Sequence, residues 1–186
     1  MSSAQIGQRT GITSGQVRKD LSYFGEFGKP GLGYLLEPLL DRLRHILQLQ
    51  EERRLVIVGA GNLGSALAGY GGFKESGFRV AAIFDDNYNK IGRRLWDYEI
   101  LDVSRLPEVV AREQVEIGVI TTPAEAAQEV ANRMVEAGIN VILNFAPARV
   151  QVPSPAVVRH VDLTRELEVL CFFLPRRAPA ETALGS

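Results

Sequence analysis

A single cysteine, Cys171, excludes an internal disulfide in this chain of 186 residues, and within Leu170-Cys171-Phe172-Phe173 it reads as a small buried hydrophobe. Histidine is almost as scarce. His45 faces no evident partner: Asp41 stands four residues before it, but Arg42 and Arg44 crowd the position with charge, so it reads as a surface side chain and no metal site is expected. No apolar run approaches the roughly eighteen residues needed to cross a bilayer. The opening residues, with Gln5, Gln8, Arg9 and Thr10, lack the apolar core of a secretory signal. These absences make a cytoplasmic protein without a membrane partner the expectation. A strong excess of charge is missing too, the net value being −1, so total charge does not identify a partner. What remains is 46% apolar residues, enough to build the core of one ordinary domain and a small second one.

The run Leu55-Val56-Ile57-Val58-Gly59-Ala60-Gly61-Asn62-Leu63-Gly64 reads as a strand, a glycine turn and the start of a helix. The three glycines do different mechanical work. Gly59 permits the tight turn, Gly61 lets backbone approach a pyrophosphate, and Gly64 lets the helix pack closely on the sheet. Ala60, Asn62 and Leu63 complete the turn, and the helix amino end offers free N–H groups and partial positive charge to phosphates. Asp85 follows twenty-one residues after Gly64, at the end of Val80-Ala81-Ala82-Ile83-Phe84, where a carboxylate accepts hydrogen bonds from ribose hydroxyls. With Asp86 beside it, a 2′-phosphate would be repelled, so the expected ligands are NADH and NAD+.

The front of the chain carries a modest basic excess. Residues 1–34 hold Arg9, Arg18, Lys19 and Lys29 against two acids, whereas residues 55–186 hold 13 basic against 16 acidic side chains. Ser2 and Ser3 can cap a short helix carrying Ile6, Thr10-Gly11-Ile12 breaks it, and Thr13-Ser14 caps a second. The second helix places Val17, Leu21 and Phe24 on one face and offers Ser14, Gln16, Arg18, Lys19 and Ser22 to solvent. Gly7, Gly11 and Val17 stand where a helix-turn-helix needs a close crossing, a positive-φ corner and a core anchor. Phe27 to Tyr34 then reads as a tight hairpin with Lys29 near its tip, a wing suited to a phosphate backbone. A winged helix ordinarily has a further helix before these two. Without it, the front segment is expected to be under-packed and DNA binding by this chain weak.

Leu35 to Gln50 is expected to be a connecting helix with Pro38 in its first turn, and Glu51-Glu52-Arg53-Arg54 marks a boundary. After Asp85 the pattern gives a short strand at Tyr98 to Leu101 and a helix from Leu106 to Glu113. A buried strand Val115 to Ile120, a helix Ala124 to Ala137 and a strand Ile139 to Leu143 follow. This alternation predicts a Rossmann-type doubly wound parallel α/β sheet. Thr121-Thr122-Pro123 and Asn144-Phe145 fall at carboxyl ends of strands, the edge where such sheets bind ligands, so the nicotinamide half is expected there. No Cys, His or Lys occupies those strand ends as a nucleophile or proton donor, and His160 has no evident orienting partner except Asp162. That weighs against an enzyme. The last helix, Asp162 to Leu174, lines up Leu163, Leu167, Leu170 and Leu174, apolar surface that calls for a partner and suggests a dimer. The expected organisation is a partial winged-helix DNA-binding domain at 1–34, a connector helix at 35–53 and an NAD(H)-binding Rossmann domain at 54–160. A terminal helix and tail, exchanged in a dimer, occupy 161–186.

Gln16-Val17-Arg18-Lys19-Asp20-Leu21-Ser22-Tyr23-Phe24-Gly25, the Gly59 to Gly64 turn, Ile142-Leu143-Asn144-Phe145-Ala146-Pro147 and Val161-Asp162-Leu163 together resemble the Rex family of redox-sensing transcriptional repressors. The resemblance covers essentially the whole chain. It implies a cytoplasmic homodimer that binds A/T-rich inverted repeats in double-stranded DNA when NADH is scarce and leaves them when NADH rises. By the same resemblance Arg18 and Lys19 belong to a recognition helix, Lys29 to the wing, and Gly59 to Gly64 with Asp85 to the cofactor site. Asp162 and Leu163 would lie near the partner's nicotinamide. Leu101 stands where some members carry a tyrosine that pairs with the acid matching Asp162. Two other readings of the residues are a small NAD-dependent oxidoreductase and an NAD(H)-binding scaffold that never touches DNA.

Overall fold

The computed structural model describes residues 1–25, 27–29 and 32–174, with Lys29 described through its backbone; the expected wing tip at 30–31 and tail at 175–186 lie outside. The chain divides into two compact units, Met1–Arg53 with Gly71–Arg79, and Arg54–Tyr70 with the described residues from Val80 onward.

In the first unit α1 (Ser3–Thr10) opens on a capping box in which Ser2 and Gln5 satisfy each other's backbone N–H groups. Gly11, at φ 76°, ends it, and a β-carbon on Gly7 would strike the Ile12 carbonyl oxygen, so only glycine permits this close turn. Thr13 caps α2 (Ser14–Ser22), whose Val17 is buried. Phe24, expected on the same helical face, lies past the helix end and is exposed, because Gly25 at φ 121° follows and turns the chain away. Antiparallel β1 (Gly28–Lys29) and β2 (Gly33–Tyr34) form the wing. The connecting helix α3 (Leu36–Ile46) is shorter than expected, since Gln48 adopts φ 54° and ends the helical run. Gln50 instead brings its Oε1 to 2.9 Å from Nδ1 of His45, which therefore does have a partner. An apolar groove of about 310 Å³ opens among α1, α2 and α3, lined by Ile6, Ile12, Val17, Leu21, Leu39 and Leu43 with neighbouring side chains.

The central sheet is built from β3 (Arg53–Val58), β4 (Phe78–Asp85), β5 (Arg94–Leu95), β6 (Tyr98–Asp102), β7 (Ile117–Ile120), β8 (Val141–Asn144) and β9 (Val157–His160). Among them run helices α4 (Asn62–Ala68), α5 (Gly71–Glu75, in the first unit), α6 (Leu106–Glu113), α7 (Ala124–Glu136) and α8 (Leu163–Cys171). Strand order is β5-β6-β4-β3-β7-β8-β9: the chain winds outward from β3 in one direction, then returns to β7 and winds outward in the other. Pairing is parallel at β3–β7, β4–β6, β7–β8 and β8–β9, and antiparallel at the β5–β6 hairpin. This is the doubly wound Rossmann-type sheet, and its reversal point lies between β3 and β7. Val56, Val58, Phe84, Ile120 and Ile142 from the strands pack with Leu106 and Val109 of α6 and with Ala127, Ala131 and Met134 of α7 into one apolar core. That core fixes the carboxyl ends of the strands as a rigid edge.

Candidate functional site

At the reversal point the carboxyl ends of β3 and β7 meet. Gly59 leaves β3 at φ 111°, and a β-carbon there would lie 2.7 Å from the Thr121 carbonyl. Thr121 Oγ1 is 2.7 Å from the Gly59 carbonyl oxygen and 3.1 Å from that of Val58, tying the two strand ends together. A β-carbon on Gly64 would collide with the Gly59 carbonyl oxygen, whereas one on Gly61 would meet no protein atom within 4 Å. So Gly59 and Gly64 are glycine to let protein pack on protein, while the Gly61 backbone faces open space. Gly61 caps α4 without any side-chain hydrogen bond, which leaves the first-turn N–H groups of Asn62, Leu63 and Gly64 without an acceptor in the helix.

Asp85, at the end of β4, is buried and takes three donors. The Ala60 N–H and Lys90 Nζ reach Oδ2, each at 2.8 Å, and the Asn87 N–H reaches Oδ1 at 2.9 Å. Burial pushes this carboxyl up, but the hydrogen bonds from Lys90, Asn87 and Ala60 outweigh it and hold Asp85 below the ordinary carboxylate value. A carboxylate has about four acceptor positions, so about one remains for an incoming hydroxyl. Because the folded-state value is depressed, the stability this group contributes is complete above its ordinary value of 3.8 and is lost as pH falls through the lower folded value. Asp85→Asn is expected to destabilise the protein by about 2 kcal/mol at neutral pH. The gap between its urea midpoint and that of the wild type should begin to narrow below pH 3.8 and close as pH falls through the lower folded value, and a gap that stayed constant with pH would contradict this account.

These groups border a cleft of about 820 Å³ lined also by Asp86, Val103, Thr122, Pro123, Ala126, Glu129, Val130 and Arg133. Thr122 Oγ1 is buried at its edge with no hydrogen-bond partner among the described residues, a polar group left for a ligand to satisfy. The open Gly61 backbone, the uncapped amino end of α4, the orphaned Thr122 hydroxyl and the spare acceptor on Asp85 fit the phosphates and ribose of a dinucleotide. Lys90, Val103 and the α7 residues were not anticipated from sequence. Asn87 and Asn89, a polar turn after an acid, were the available signal for Lys90, and Ala126, Val130 and Arg133 share one face of α7 at helical spacing.

The other expected ligand residues lie apart from this lining. Phe145 N–H donates to the Ile120 carbonyl at 2.9 Å, setting the end of β8 beside that of β7. Asn144 is fully buried, and its side chain is spent locally: Oδ1 accepts the Ala146 N–H at 3.0 Å and Nδ2 donates to the Ala148 carbonyl at 2.7 Å. The same Nδ2 is 3.1 Å from Nδ1 of His160, which gives that histidine the orienting partner the sequence did not reveal and makes Nδ1 the acceptor. Asp162 Oδ1 caps α8 by accepting the Thr164 and Arg165 N–H groups, and Leu163 begins the helix. No residue of α8 is buried: Leu163, Leu167 and Leu170 stand exposed, as do Phe172 and Phe173 just beyond it. Cys171, expected in a core, is exposed as well, because α8 extends away from its own chain's packed interior.

On α2, Lys19 is exposed and Ser22 Oγ donates to the Lys19 carbonyl at 2.7 Å; Ser14 is half-buried in the first turn. Arg18 and Gln16 are exposed as expected, and each makes a surface hydrogen bond. Arg18 donates to Ser3 Oγ at 3.1 Å, and Gln16 donates to Asp20 at 2.5 Å. Among the described residues no group of histidine, cysteine and carboxylate side chains is arranged to hold a metal, and no helix is long and apolar enough to cross a membrane.

A dinucleotide-type cleft on a Rossmann sheet, carried on one chain with a helix-turn-helix and a two-stranded wing, defines a ligand-responsive transcriptional regulator. Comparison with known proteins makes the family plain. Residues 50–148 match the family model described as a CoA binding domain. The redox-sensing transcriptional repressor Rex of Carboxydothermus hydrogenoformans is 53% identical over 176 residues, covering 95% of this chain and 85% of that protein. Rex 1 of Thermotoga maritima is 48% identical over 178 residues, with 95% and 85% covered. The crystal structure of RSP with β-NAD+ and operator DNA superposes with a TM-score of 0.87 at 38% identity, over 93% of this chain and 80% of that one. RSP with β-NADH gives 0.80 at 36% identity, over 93% and 81%. The chain belongs to the Rex family of redox-sensing transcriptional repressors, and not to the dehydrogenases that share its glycine turn.

Proposed function

We propose that this chain is a cytoplasmic homodimer that holds an inverted-repeat operator while NADH is scarce and releases it when NADH binds. The observation that carries the reading is the match to RSP, whose structures contain β-NAD+ with operator DNA and β-NADH, joined to a cleft here whose unsatisfied groups suit a dinucleotide.

In this reading Gly59 to Gly64 receive the pyrophosphate on the backbone around Gly61 and the amino end of α4. Asp85 accepts from the adenosine ribose, with Asp86 and the Lys90-bound carboxylate selecting against a 2′-phosphate. Thr121, Thr122 and Pro123 border the nicotinamide half, and Asn144 acts by shaping the loop that carries Phe145 rather than by direct contact. The oxidised nicotinamide ring bears a positive charge that the reduced ring lacks. An apolar floor from Phe145, closed by Leu163 of a second subunit, penalises that charge by desolvation and so favours NADH. The exposed apolar face of α8 would be covered by the second subunit, and the domain limits 1–34, 35–53, 54–160 and 161–186 serve as the functional division.

Ser14, Gln16, Arg18, Lys19 and Ser22 of α2, with Lys29 of the wing, form the DNA-facing set. Phosphate contacts position a protein and release counterions, so Arg18→Ala with Lys19→Ala is expected to weaken operator binding and to flatten its salt dependence by about two contacts' worth. Titrating salt against a labelled inverted-repeat duplex measures both. NADH added to the wild-type complex should release the duplex, and NAD+ should not at equal concentration. Equal responses to the two nucleotides would remove the proposal, since a ligand binding both states alike shifts no equilibrium.

A further inference from the structure

We propose that Trp96 is a positioning residue for the dinucleotide: it braces α4 from the carboxyl end so that the helix's amino end stays presented to the phosphates. The inference rests on the dinucleotide reading of the cleft and adds a residue outside it.

Trp96 is the chain's single tryptophan and occupies the turn between β5 and β6 at φ 55°, a conformation that bulky L residues adopt only when the surroundings hold them there. Burial does not hold it, for the residue is 66% exposed. Two specific contacts do. Its Nε1–H donates to the Ser65 carbonyl at 2.9 Å, and a β-carbon on Gly69 would sit 2.5 Å from Cε2 and 2.8 Å from Nε1, so the indole edge lies directly against the Gly69 backbone. Ser65 is in the last turn of α4, where carbonyl groups run out of helical donors. Its intrahelical partner, the Gly69 N–H, is 3.4 Å away, so the indole is the nearer donor.

The placement has a mechanical consequence. Strand β6 runs parallel to β4 with Asp102 opposite Asp85, and Val103, the next residue, lines the cleft. Through one indole, the hairpin whose strand β6 leads directly into Val103 at the cleft is tied to the seven-residue helix α4. A helix of two turns has few hydrogen bonds of its own to keep its axis fixed, so an external tether at its far end governs where its free N–H groups point.

Calorimetric titration of the full chain with NADH, and with adenosine as a ligand lacking phosphates, tests this. Trp96→Phe keeps an aromatic ring but removes the donor, and is expected to weaken NADH about three- to tenfold, the size of one neutral hydrogen bond, leaving adenosine affinity unchanged. Gly69→Ala, which displaces the ring, should give a loss of similar size, and the double variant no more than either alone, because both act through one contact. Wild-type affinity in both single variants would overturn the bracing role, as would an equal loss for adenosine and NADH, the mark of general loosening. Failure of the wild type itself to bind NADH would instead remove the dinucleotide reading, and the brace with it.

Discussion

Gly64→Ala is expected to weaken NADH by about 100-fold or more and to lower the melting temperature by several degrees, whereas Gly61→Ala should weaken NADH while leaving the ligand-free protein as stable as the wild type. The contrast follows from what each added methyl meets. At Gly64 it meets the Gly59 carbonyl oxygen, a backbone atom pinned by the Gly59 N–H to Phe84 bond of 2.8 Å and by Thr121, so α4 must lift off the turn. At Gly61 it meets no protein atom within 4 Å, and enters only the volume assigned to the pyrophosphate. Thermal melts and NADH titrations on the two variants separate packing from ligand contact. Unchanged NADH affinity in Gly61→Ala would place the phosphates elsewhere.

In the proposed homodimer, Leu167→Glu combined with Leu170→Glu is expected to separate the subunits and to reduce operator affinity by about 100-fold or more, the advantage that two linked half-site contacts hold over one. Both leucines are more than half exposed on α8, which has no buried residue, so the charges disturb no packing within the chain and the folded protomer should melt at the wild-type temperature. An apolar face of this extent is stable in water only when covered, and two-fold symmetry lets one patch serve both subunits. Sedimentation equilibrium with an operator titration reads both effects. A double variant that stayed dimeric at full affinity would show that α8 is not the interface.

The elements legible beforehand were those whose local pattern and tertiary role agree. The strand ending at Val58, its glycine turn and Asp85 are specified by neighbours within a few residues, and the long apolar periodicity of α7 predicted its limits to within one residue. Strand β9 is silent in the sequence because Val157–His160 is mostly exposed at the sheet edge and lacks the apolar alternation that marks a strand. The end of α3 is not marked in the sequence because leucine continues to Leu49, and periodicity carries no sign of a single positive-φ residue such as Gln48.

Taken alone, the residue order determined that a parallel sheet would carry a glycine turn with an acid at the next strand end, and that a helix-turn-helix would precede it, because each depends on short-range sterics and capping. Tertiary structure decided which polar groups remain available. Lys90 folds back onto Asp85, Asn144 is consumed by its own loop and by His160, and the Thr122 hydroxyl is left without a partner among the described residues, outcomes set by how each loop folds back on itself and on its neighbours. Hydrogen-bond capacity is finite and is allocated by distance in space, so a residue's type can announce a possible ligand while only the packed fold determines whether its donors and acceptors are still free.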